Sequence, residues 1–425
     1  MRSLSDRRPF ITLRTASRFW RSAVLSHVLL IASGILLAMA ITEGILRLVP
    51  GLLSVDLQRT PDNFGVAHPY IGYLHKPNNT LILASKDFRA TNHTDGYGFR
   101  NAWPWPEKAE IVAVGDSLAF GYGVEDNEAW PALVAKALPG KRIINLGLIG
   151  AGPQQYLRLY ETFGKRLHPK VLLVGFFVRN DFWDAVMFES WLKSGARGNY
   201  KVWRDFGRPK STSLSLEQPI GDLLSSLLWR CHLLASKSRL YNLFLRARTK
   251  PITSRPSELK TFKAPDGTRL ELDPRDFTDK TREARPGYRT FDIVVEVIQR
   301  LHSMARANGT RVLVVLQPGK EEVYLPLVGE INVDADPGHP LRVMLGKLGI
   351  PYIDLLPGFR NRAAKGEILF FETDGHPNAR GYALIAELVL DHLRNNAKTF
   401  NLNDFGGEQI ESAANERWDS KRCCH

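Results

Sequence analysis

Cysteine is scarce in this chain, and the patterns that cysteines usually form are missing with it. The 425 residues contain three cysteines, Cys231, Cys423 and Cys424, which give neither a disulfide framework nor a zinc-ligand spacing. The sequence also lacks internal repeats and low-complexity tracts, which excludes a repeat protein. The 44% of hydrophobic residues that are present suffice for a large core. We therefore expect a folded protein whose chemistry is neither redox nor metal-based.

Acidic residues are also fewer than basic residues. The chain has 44 Asp and Glu residues against 57 Lys and Arg residues, which gives a net charge of +13 at pH 7. Six arginines and one aspartate in the first 21 residues supply +5 of this excess, and about +8 remains in the rest of the chain. The basic character is therefore concentrated at the start of the sequence but not confined to it.

One long apolar run lies near the N-terminus. Residues 23–41 contain His27 as their only ionisable side chain and could span roughly 28 Å as a helix. Because six arginines precede this run, the positive-inside rule predicts a cytoplasmic N-terminus and a periplasmic or extracellular remainder. A cleaved signal peptide is the alternative, since Ala38-Met-Ala40 resembles a cleavage site. We favour an uncleaved anchor because the run is long for a signal peptide and Glu43 and Arg47 continue the helix.

The sequence predicts five successive parts. They are a cytoplasmic basic segment at 1–22, a transmembrane helix at 23–49, a linker with an N-terminal cap of short strands at 50–105, an α/β domain at 106–397 with an insertion at about 188–285, and a polar, disordered tail at 398–425. Within the insertion, apolar residues at helical spacing between Ile220 and Leu234 predict an amphipathic helix. This helix would either pack on its own domain or lie on the bilayer.

Strand patterns alternate with helix patterns through the α/β domain. Apolar runs predict strands at Ile111–Val114, Arg142–Asn145, Val171–Phe177, Arg311–Leu316 and Tyr352–Leu355. Helical patterns lie between them at Trp130–Leu138, Gln154–Arg166, Tyr288–Ala307 and Leu341–Leu348. This alternation predicts a parallel sheet with right-handed crossovers.

Four polar segments stand at strand ends or in the loop that enters a helix. They are Gly115-Asp-Ser117, Asn145-Leu-Gly-Leu-Ile-Gly150, Arg179-Asn-Asp181 and Thr373-Asp-Gly-His-Pro-Asn378. Ester chemistry needs a nucleophilic hydroxyl, an imidazole base, a carboxylate that orients the base and donors for the oxyanion. The four segments supply each part once. Singly, each has a structural explanation, such as a helix cap at Asp116 or Ser117 or turn glycines.

In this order the four segments resemble the SGNH (GDSL-type) hydrolase superfamily, whose sequence blocks are named for Ser, Gly, Asn and His. The resemblance covers roughly residues 106–185 and 286–397. It implies a flavodoxin-like three-layer α/β/α sandwich, here with an N-terminal transmembrane helix.

The resemblance also implies a role for each matching residue. Ser117 would be the nucleophile, His376 the base and Asp374 the carboxylate that orients it. The oxyanion hole would consist of the N–H groups of Ser117 and Gly150 and the side-chain amide of Asn180.

One spacing departs from the commonest family pattern. That pattern separates the aspartate and the histidine by three residues, a position that Thr373 occupies here, whereas Asp374 lies two residues before His376. The shorter spacing resembles the alginate O-acetyltransferase-like branch of the superfamily. The stretch Gln317-Pro-Gly-Lys-Glu-Glu-Val-Tyr324 is also similar to a Pro-x-Lys…Tyr stretch of that branch. Glu372 is the alternative carboxylate.

These residues predict a serine esterase that acts on ester-linked acyl groups, most simply acetyl, of an envelope glycan or polysaccharide. An anionic polymer is one candidate because of the basic excess outside the anchor. The alternatives are an O-acetyltransferase with the same triad, a lipid esterase and a non-catalytic glycan-binding module. We expect no cofactor and no nucleic-acid partner, and we expect the N-terminal helix to contact the inner membrane.

Overall fold

The computed structural model describes residues 13–48, 65–195, 198–206, 238–248, 259–330 and 336–402. The chain divides into two units, one of Met1–Phe64 with Asp205–Thr253 and a larger one of Gly65–Arg204 with Ser254–His425. The helix predicted between Ile220 and Leu234 and most of the predicted tail lie outside the described residues.

Strands and helices alternate along most of the larger unit. The described strands are β1 Val66–His68, β2 Gly72–Leu74, β3 Thr80–Ala84, β4 Arg89–His93, β5 Ile111–Gly115, β6 Ile143–Gly147, β7 Val171–Phe177, β8 Lys260–Lys263, β9 Arg269–Leu272, β10 Arg311–Gln317 and β11 Tyr352–Asp354. The described α-helices are α1 Leu13–Leu48, α2 Ser117–Phe120, α3 Trp130–Lys136, α4 Pro153–Leu159, α5 Asp181–Lys193, α6 Tyr200–Phe206, α7 Arg239–Arg248, α8 Pro274–Glu283, α9 Arg289–Ala307, α10 Lys320–Tyr324, α11 His339–Lys347, α12 Leu356–Ala364 and α13 Ala379–Asn395.

In the smaller unit, α1 is long and apolar enough over Val24–Leu48 to cross a membrane, a property that signal sequences share. Its C-terminal part contacts the start of α7. The Glu43 carboxylate accepts hydrogen bonds from the Arg239 and Leu240 N–H groups at 3.0 and 2.9 Å and from the Ser238 hydroxyl at 2.9 Å. Glu43 therefore satisfies the unpaired N–H groups at the start of α7.

The central sheet of the larger unit is parallel. Five described strands pair in the order β11-β10-β7-β5-β6, and Val114 of β5 lies between Leu146 and Val174. Numbered along the chain, this order is 2-1-3-4-5, which is the flavodoxin-like order. Ligands in such sheets bind outside the carboxyl ends of the strands, where the order reverses. Here that point lies between β5 and β7.

Alternate residues of the strands pack on opposite faces of the sheet. Val112 and Val114 belong to a core that contains side chains of α4, α5, α9 and α11, whereas Ile111 and Ala113 belong to a second core with α3, α12 and α13. Because successive strand residues point to opposite sides, both faces are covered by helices. The unit is therefore the three-layer α/β/α sandwich that the sequence predicts.

Short antiparallel hairpins surround this sandwich. β1 pairs with β2, β3 with β4, and β8 with β9. The first two lie within residues 50–105, where the sequence predicts short strands; that they form a separate N-terminal cap stays a prediction. The ends of the predicted insertion belong to the larger unit, because Trp191 of α5 and Leu270 of β9 are fully buried in its two cores. The boundaries between the two units follow Arg204 and Thr253 instead.

Candidate active site

The predicted nucleophile, Ser117, is the first residue of α2 and follows β5 after a single residue. Asp116 caps this helix, because its Oδ1 accepts a hydrogen bond from the Leu118 N–H at 2.9 Å. Ser117 is 5% exposed and Asp116 is fully buried. The end of the strand and the capped helix thus fix the serine hydroxyl at the carboxyl edge of the sheet.

A chain of hydrogen bonds joins Ser117 to the two residues predicted as base and carboxylate. The distance from Ser117 Oγ to His376 Nε2 is 2.8 Å, and that from His376 Nδ1 to Asp374 Oδ1 is 2.6 Å. With the imidazole proton assigned to Nδ1, Nδ1 donates to Asp374 and Nε2 accepts from the serine hydroxyl. This is the arrangement in which an imidazole can remove the hydroxyl proton.

Asp374 is held in its ionised form. Burial opposes ionisation of this carboxyl, but the nearby His376 and its hydrogen bonds outweigh that effect and hold the pKa of Asp374 well below its ordinary value. Asp374 Oδ1 also accepts from the backbone N–H of His376 at 2.8 Å. The carboxylate therefore fixes both the backbone and the ring of the histidine. The Asp374 and His376 side chains are 27% and 24% exposed, so the site is open on this side.

Residues 371–376, which we call the histidine loop, lie between α12 and α13. The Phe371 N–H donates to the His376 carbonyl at 3.2 Å, which closes the loop. Asn378 caps α13 directly after it, because its side chain accepts from the Gly381 N–H. The ring of Tyr122 lies 4.5 Å from the imidazole of His376, centroid to centroid. Tyr122, which the sequence pattern does not single out, limits rotation of the imidazole from the side of α2.

The structure explains the two-residue spacing between Asp374 and His376. Thr373, which stands where the commonest family pattern has the aspartate, turns toward the N-terminal cap. Its hydroxyl and its N–H both donate to Asp87, at 2.8 and 2.9 Å. Position 373 is therefore used for attaching the loop, and Asp374 takes the place beside the imidazole. The Glu372 carboxylate makes no hydrogen bond to His376 within the described part of the chain.

Asn180, the predicted side-chain donor of the oxyanion hole, ends the loop after β7 and precedes α5. Its Nδ2 donates to Asp116 Oδ2 at 3.2 Å, and Ser117 Oγ lies 3.4 Å from the same oxygen. Burial raises the pKa of Asp116. Asp116 thus joins the amide of Asn180 to the serine segment across the point where the strand order reverses.

Gly150, the predicted backbone donor, lies in the loop after β6 with a φ of 75°. This left-handed conformation suits glycine. A Cβ at this position would lie 2.8 Å from Lys201 Nζ and 3.0 Å from Arg204 Nη1. Arg204 also donates to the Gly150 carbonyl and pairs with Asp184 at 2.9 Å. Two cations of α6 therefore border this loop, and no local sequence signal indicates them.

The buried carboxylate of Asp181 next to Asn180 has a structural role. It accepts from the Tyr156 hydroxyl at 2.6 Å and from the Phe177 N–H at 2.9 Å. Burial raises its pKa well above the ordinary value. Asp181 therefore ties the end of β7 to α4 and α5.

The stretch from Gln317 to Tyr324 begins at the last residue of β10 and contacts the backbone of residues 367–374. The Tyr324 hydroxyl donates to the Glu367 carbonyl at 2.6 Å and accepts from the Leu369 N–H at 3.0 Å. Lys320 Nζ reaches the carbonyls of the histidine loop. The Pro-x-Lys…Tyr pattern thus marks residues that hold the segment carrying His376.

The comparisons with known proteins give structural likeness only. No family model and no curated sequence matches this chain. A solved member of the lipolytic G-D-S-L family from Veillonella parvula matches with 14% identity and a TM-score of 0.34, over 66% of this chain and 96% of that chain. A catalytic mutant of an acetylxylan esterase from Geobacillus stearothermophilus matches with 10% identity and a TM-score of 0.34, over 68% and 95%. A GDSL-like lipase from Bacteroides thetaiotaomicron matches with 10% identity and a TM-score of 0.30, over 69% and 92%. At these identities and TM-scores the likeness does not assign a function, which must come from the site residues themselves.

Proposed function

We propose that this protein is a serine esterase of the SGNH type that removes acyl groups, most simply acetyl, from an envelope glycan or polysaccharide. The observation that carries the proposal is the unbroken hydrogen-bonded chain from Ser117 Oγ through His376 to Asp374. It lies at the carboxyl edge of the sheet, where α/β proteins place their sites.

The chemistry follows from this chain. Ser117 Oγ attacks the ester carbonyl carbon while His376 Nε2 takes the hydroxyl proton, and Asp374 stabilises the imidazolium that forms. Collapse of the tetrahedral intermediate breaks the bond to the alcohol oxygen, which leaves with the proton from His376. Water then attacks the acyl-serine, gives a proton to His376, and the acid is released as Ser117 regains its hydrogen.

Three donors are available for the developing oxyanion. They are the N–H groups of Ser117 and Gly150 and the Nδ2 group of Asn180, which has a second hydrogen besides the one bonded to Asp116. Within the described residues, neither of the two backbone N–H groups donates to a protein acceptor. Donors that are fixed before the reaction stabilise the transition state without reorganisation.

The cations beside Gly150 support an anionic glycan as substrate. Lys201 is 6% exposed and lies beside Gly150 together with Arg204, whose charge is paired with Asp184. A positive potential at the edge of a site raises the local concentration of an anionic substrate.

The same acyl-serine could pass its acyl group to a sugar hydroxyl instead of water. This second candidate, an O-acetyltransferase, is supported by the resemblance of Lys320 and Tyr324 to the alginate branch, and both residues contact the segment that carries His376. Only the acceptor differs between the two reactions.

The apolar helix α1 supports an envelope location. It continues without a break through residues 38–40, where a signal peptide would be cleaved. We propose an uncleaved anchor with a cytoplasmic N-terminus and the larger unit outside the inner membrane. The mass of the mature protein tests this proposal, because cleavage would remove about 40 residues.

The deciding experiment measures acetate release from p-nitrophenyl acetate by the full chain in detergent. Wild type is compared with Ser117→Ala and His376→Ala, and Ser190→Ala serves as the control because Ser190 lies exposed on α5. We expect both site variants to lose at least about a thousandfold in rate and the control to keep it. An acetylated acidic oligosaccharide and its deacetylated form are then added in turn.

The outcomes separate the candidate functions. Acetate release from the acetylated oligosaccharide supports the esterase, whereas acetyl transfer onto the deacetylated form supports the transferase. Wild-type activity that survives Ser117→Ala would contradict both. Binding of the oligosaccharide without any turnover would indicate a glycan-binding module.

A further inference from the structure

The carbonyl groups of the histidine loop point to a buried lysine. Lys320 Nζ lies 3.5, 3.2 and 3.2 Å from the carbonyl oxygens of Phe371, Glu372 and Asp374. Lys320 is 1% exposed. An ammonium group has three hydrogens, so these three carbonyls account for its whole donor capacity. The lysine therefore holds the loop by charge-assisted hydrogen bonds rather than by packing.

The amide groups of the same loop point to a carboxylate. Asp87, in the turn between β3 and β4, accepts from the N–H groups of Thr373 and Asp374 at 2.9 and 2.7 Å and from the Thr373 hydroxyl at 2.8 Å. One oxygen, Oδ2, receives all three hydrogen bonds. The loop thus lies between a cation on its carbonyl side and an anion on its amide side.

Neutral side chains could hold a loop with a smaller desolvation penalty than a buried charge. Burial disfavours the ammonium form and lowers the pKa of Lys320, although nearby Glu321 partly offsets this. Despite this desolvation penalty, Lys320 places a positive charge close enough to Asp374 to interact with it. Both charged groups are therefore in a position to act on the Asp374–His376 pair as well as to hold its backbone.

We propose that Lys320 and Asp87 are positioning residues that clamp the histidine loop from its carbonyl side and its amide side and place opposite charges beside the Asp374–His376 pair. The inference rests on the proposed function in that His376 is taken as the base. It goes beyond that function because it assigns the tuning of the base to two residues that touch neither Ser117 nor the imidazole.

Other charges face His376 from the elements packed around it. Asp116 interacts with it from the β5 end, Asp374 from its own loop, and Arg179 lies against Gly375 while paired with Glu321 at 2.7 Å. These groups are unchanged in variants of Lys320 and Asp87. Their effect is therefore common to all the proteins compared.

The test is the titration of His376 followed by NMR of histidine Cε1 in the full chain in detergent, with the signal assigned by its loss in His376→Gln. This readout does not depend on turnover. The variants are Lys320→Met, Asp87→Asn and the double variant. Lys86→Met is the control, because Lys86 lies next to Asp87 but its side chain is 65% exposed and its charge is screened by solvent.

We expect opposite shifts. Lys320→Met removes a positive charge, so the imidazolium is favoured and the titration midpoint moves up by about half a pH unit, whereas Asp87→Asn moves it down by about as much. The double variant should return close to wild type, and Lys86→Met should not move the midpoint. The midpoint of the acid limb in the pH profile of kcat/KM for p-nitrophenyl acetate should also move up in Lys320→Met and down in Asp87→Asn.

A merely structural role for the two residues predicts a different result. Loosening of the loop would move both midpoints in the same direction or leave both unchanged, and either outcome overturns the inference. If Lys320→Met does not fold, Lys320→Gln takes its place, because Gln is neutral and keeps two donor hydrogens for the loop carbonyls. Absence of esterase activity in the wild type would contradict the proposed function, whereas opposite NMR shifts would still support the clamp.

Discussion

Ser117 and His376 are hydrogen-bonded to each other, yet the segments that carry them are held by different forces. The serine segment is held by close packing of backbone. A Cβ on Gly147 would lie 2.3 Å from the Phe120 nitrogen and 2.6 Å from the Ala119 carbonyl carbon, so β6 and α2 touch without any side chain between them. Ser117 to Phe120 are all buried.

The histidine loop is held by charged side chains instead. Most of its residues are half-buried, and its backbone is bound by the Lys320 ammonium and the Asp87 carboxylate. Packing tolerates little change in volume, whereas a hydrogen-bonded loop can lose a charge without collapse of the core. We therefore expect changes in the packing of the serine segment to lower stability, and changes in the charged groups of the histidine side to lower activity more than stability.

The largest expected effect is on activity, at the histidine side. Asp374→Asn should lower kcat/KM for p-nitrophenyl acetate by about 10⁴-fold, because the amide favours the wrong imidazole tautomer, and should lower the thermal midpoint only moderately, by the stability that the ionised carboxylate contributes. Asp266→Asn is the matched control, since Asp266 also accepts a backbone N–H two residues on, from Thr268 at 2.9 Å, but is next to no histidine. A large fall in thermal midpoint for Asp374→Asn would break the comparison.

The next effect is on stability, at the serine side. Gly147→Ala forces the backbone of α2 to move and should lower the free energy of unfolding by about 3 kcal/mol. Gly346→Ala in α11 is the control, because an added Cβ there meets nothing within 4 Å and should stabilise by about 0.5 kcal/mol. Denaturant unfolding measures both. If Gly147→Ala is as stable as wild type, close packing does not hold the serine segment.

The smallest expected effect is the pH dependence of stability that Glu322 causes. Burial raises the pKa of Glu322, in α10 beside Lys320, to about 8 from 4.5. The folded protein keeps this proton between about pH 4.5 and 8 while the unfolded chain loses it, so stability falls as pH rises through that window.

Glu322→Gln removes this dependence. The variant should become more stable relative to wild type by about 2 kcal/mol between pH 5 and pH 6.5. Glu296 lies on the exposed side of α9. The difference in free energy of unfolding between Glu296→Gln and wild type should be the same at both pH values. Equal stability curves for Glu322→Gln and wild type would show that Glu322 is ionised in the fold. Burial of Glu322 would then not lower the free energy of unfolding as the pH rises.

The sheet is the part of the structure that the sequence predicts best. The buried runs have bounds within two residues of the observed strands, and Val171–Phe177 agrees at both ends. A fully buried strand is a continuous apolar run, which is visible without knowledge of its neighbours. The helix predicted at Gln154–Arg166 is less regular, since α4 ends at Leu159 and a π-turn and a 3₁₀-turn follow.

The site is predicted in part. Ser117, Asn180, Asp374 and His376 stand at strand ends or in a loop in a recognisable order, and the structure brings them together; their catalytic roles stay a prediction. Asp87 lies 286 residues before Thr373, and a carboxylate in a hairpin turn carries no local signal of such a contact. The same holds for Lys201, because the pattern of α6 does not reveal that it reaches Gly150.

The segment before β5 holds both halves of the site. Arg100 Nη1 donates to the carbonyls of Phe120 and Gly121 at 2.8 and 2.7 Å, while Asp87 holds the histidine loop. Trimming the protein to residue 106, where the α/β pattern starts, would remove both attachments together with Ile71, Tyr73 and Phe99, which are buried in the same core as Val112 and Val114. A protease cut between β4 and β5 followed by loss of the released piece should therefore abolish activity.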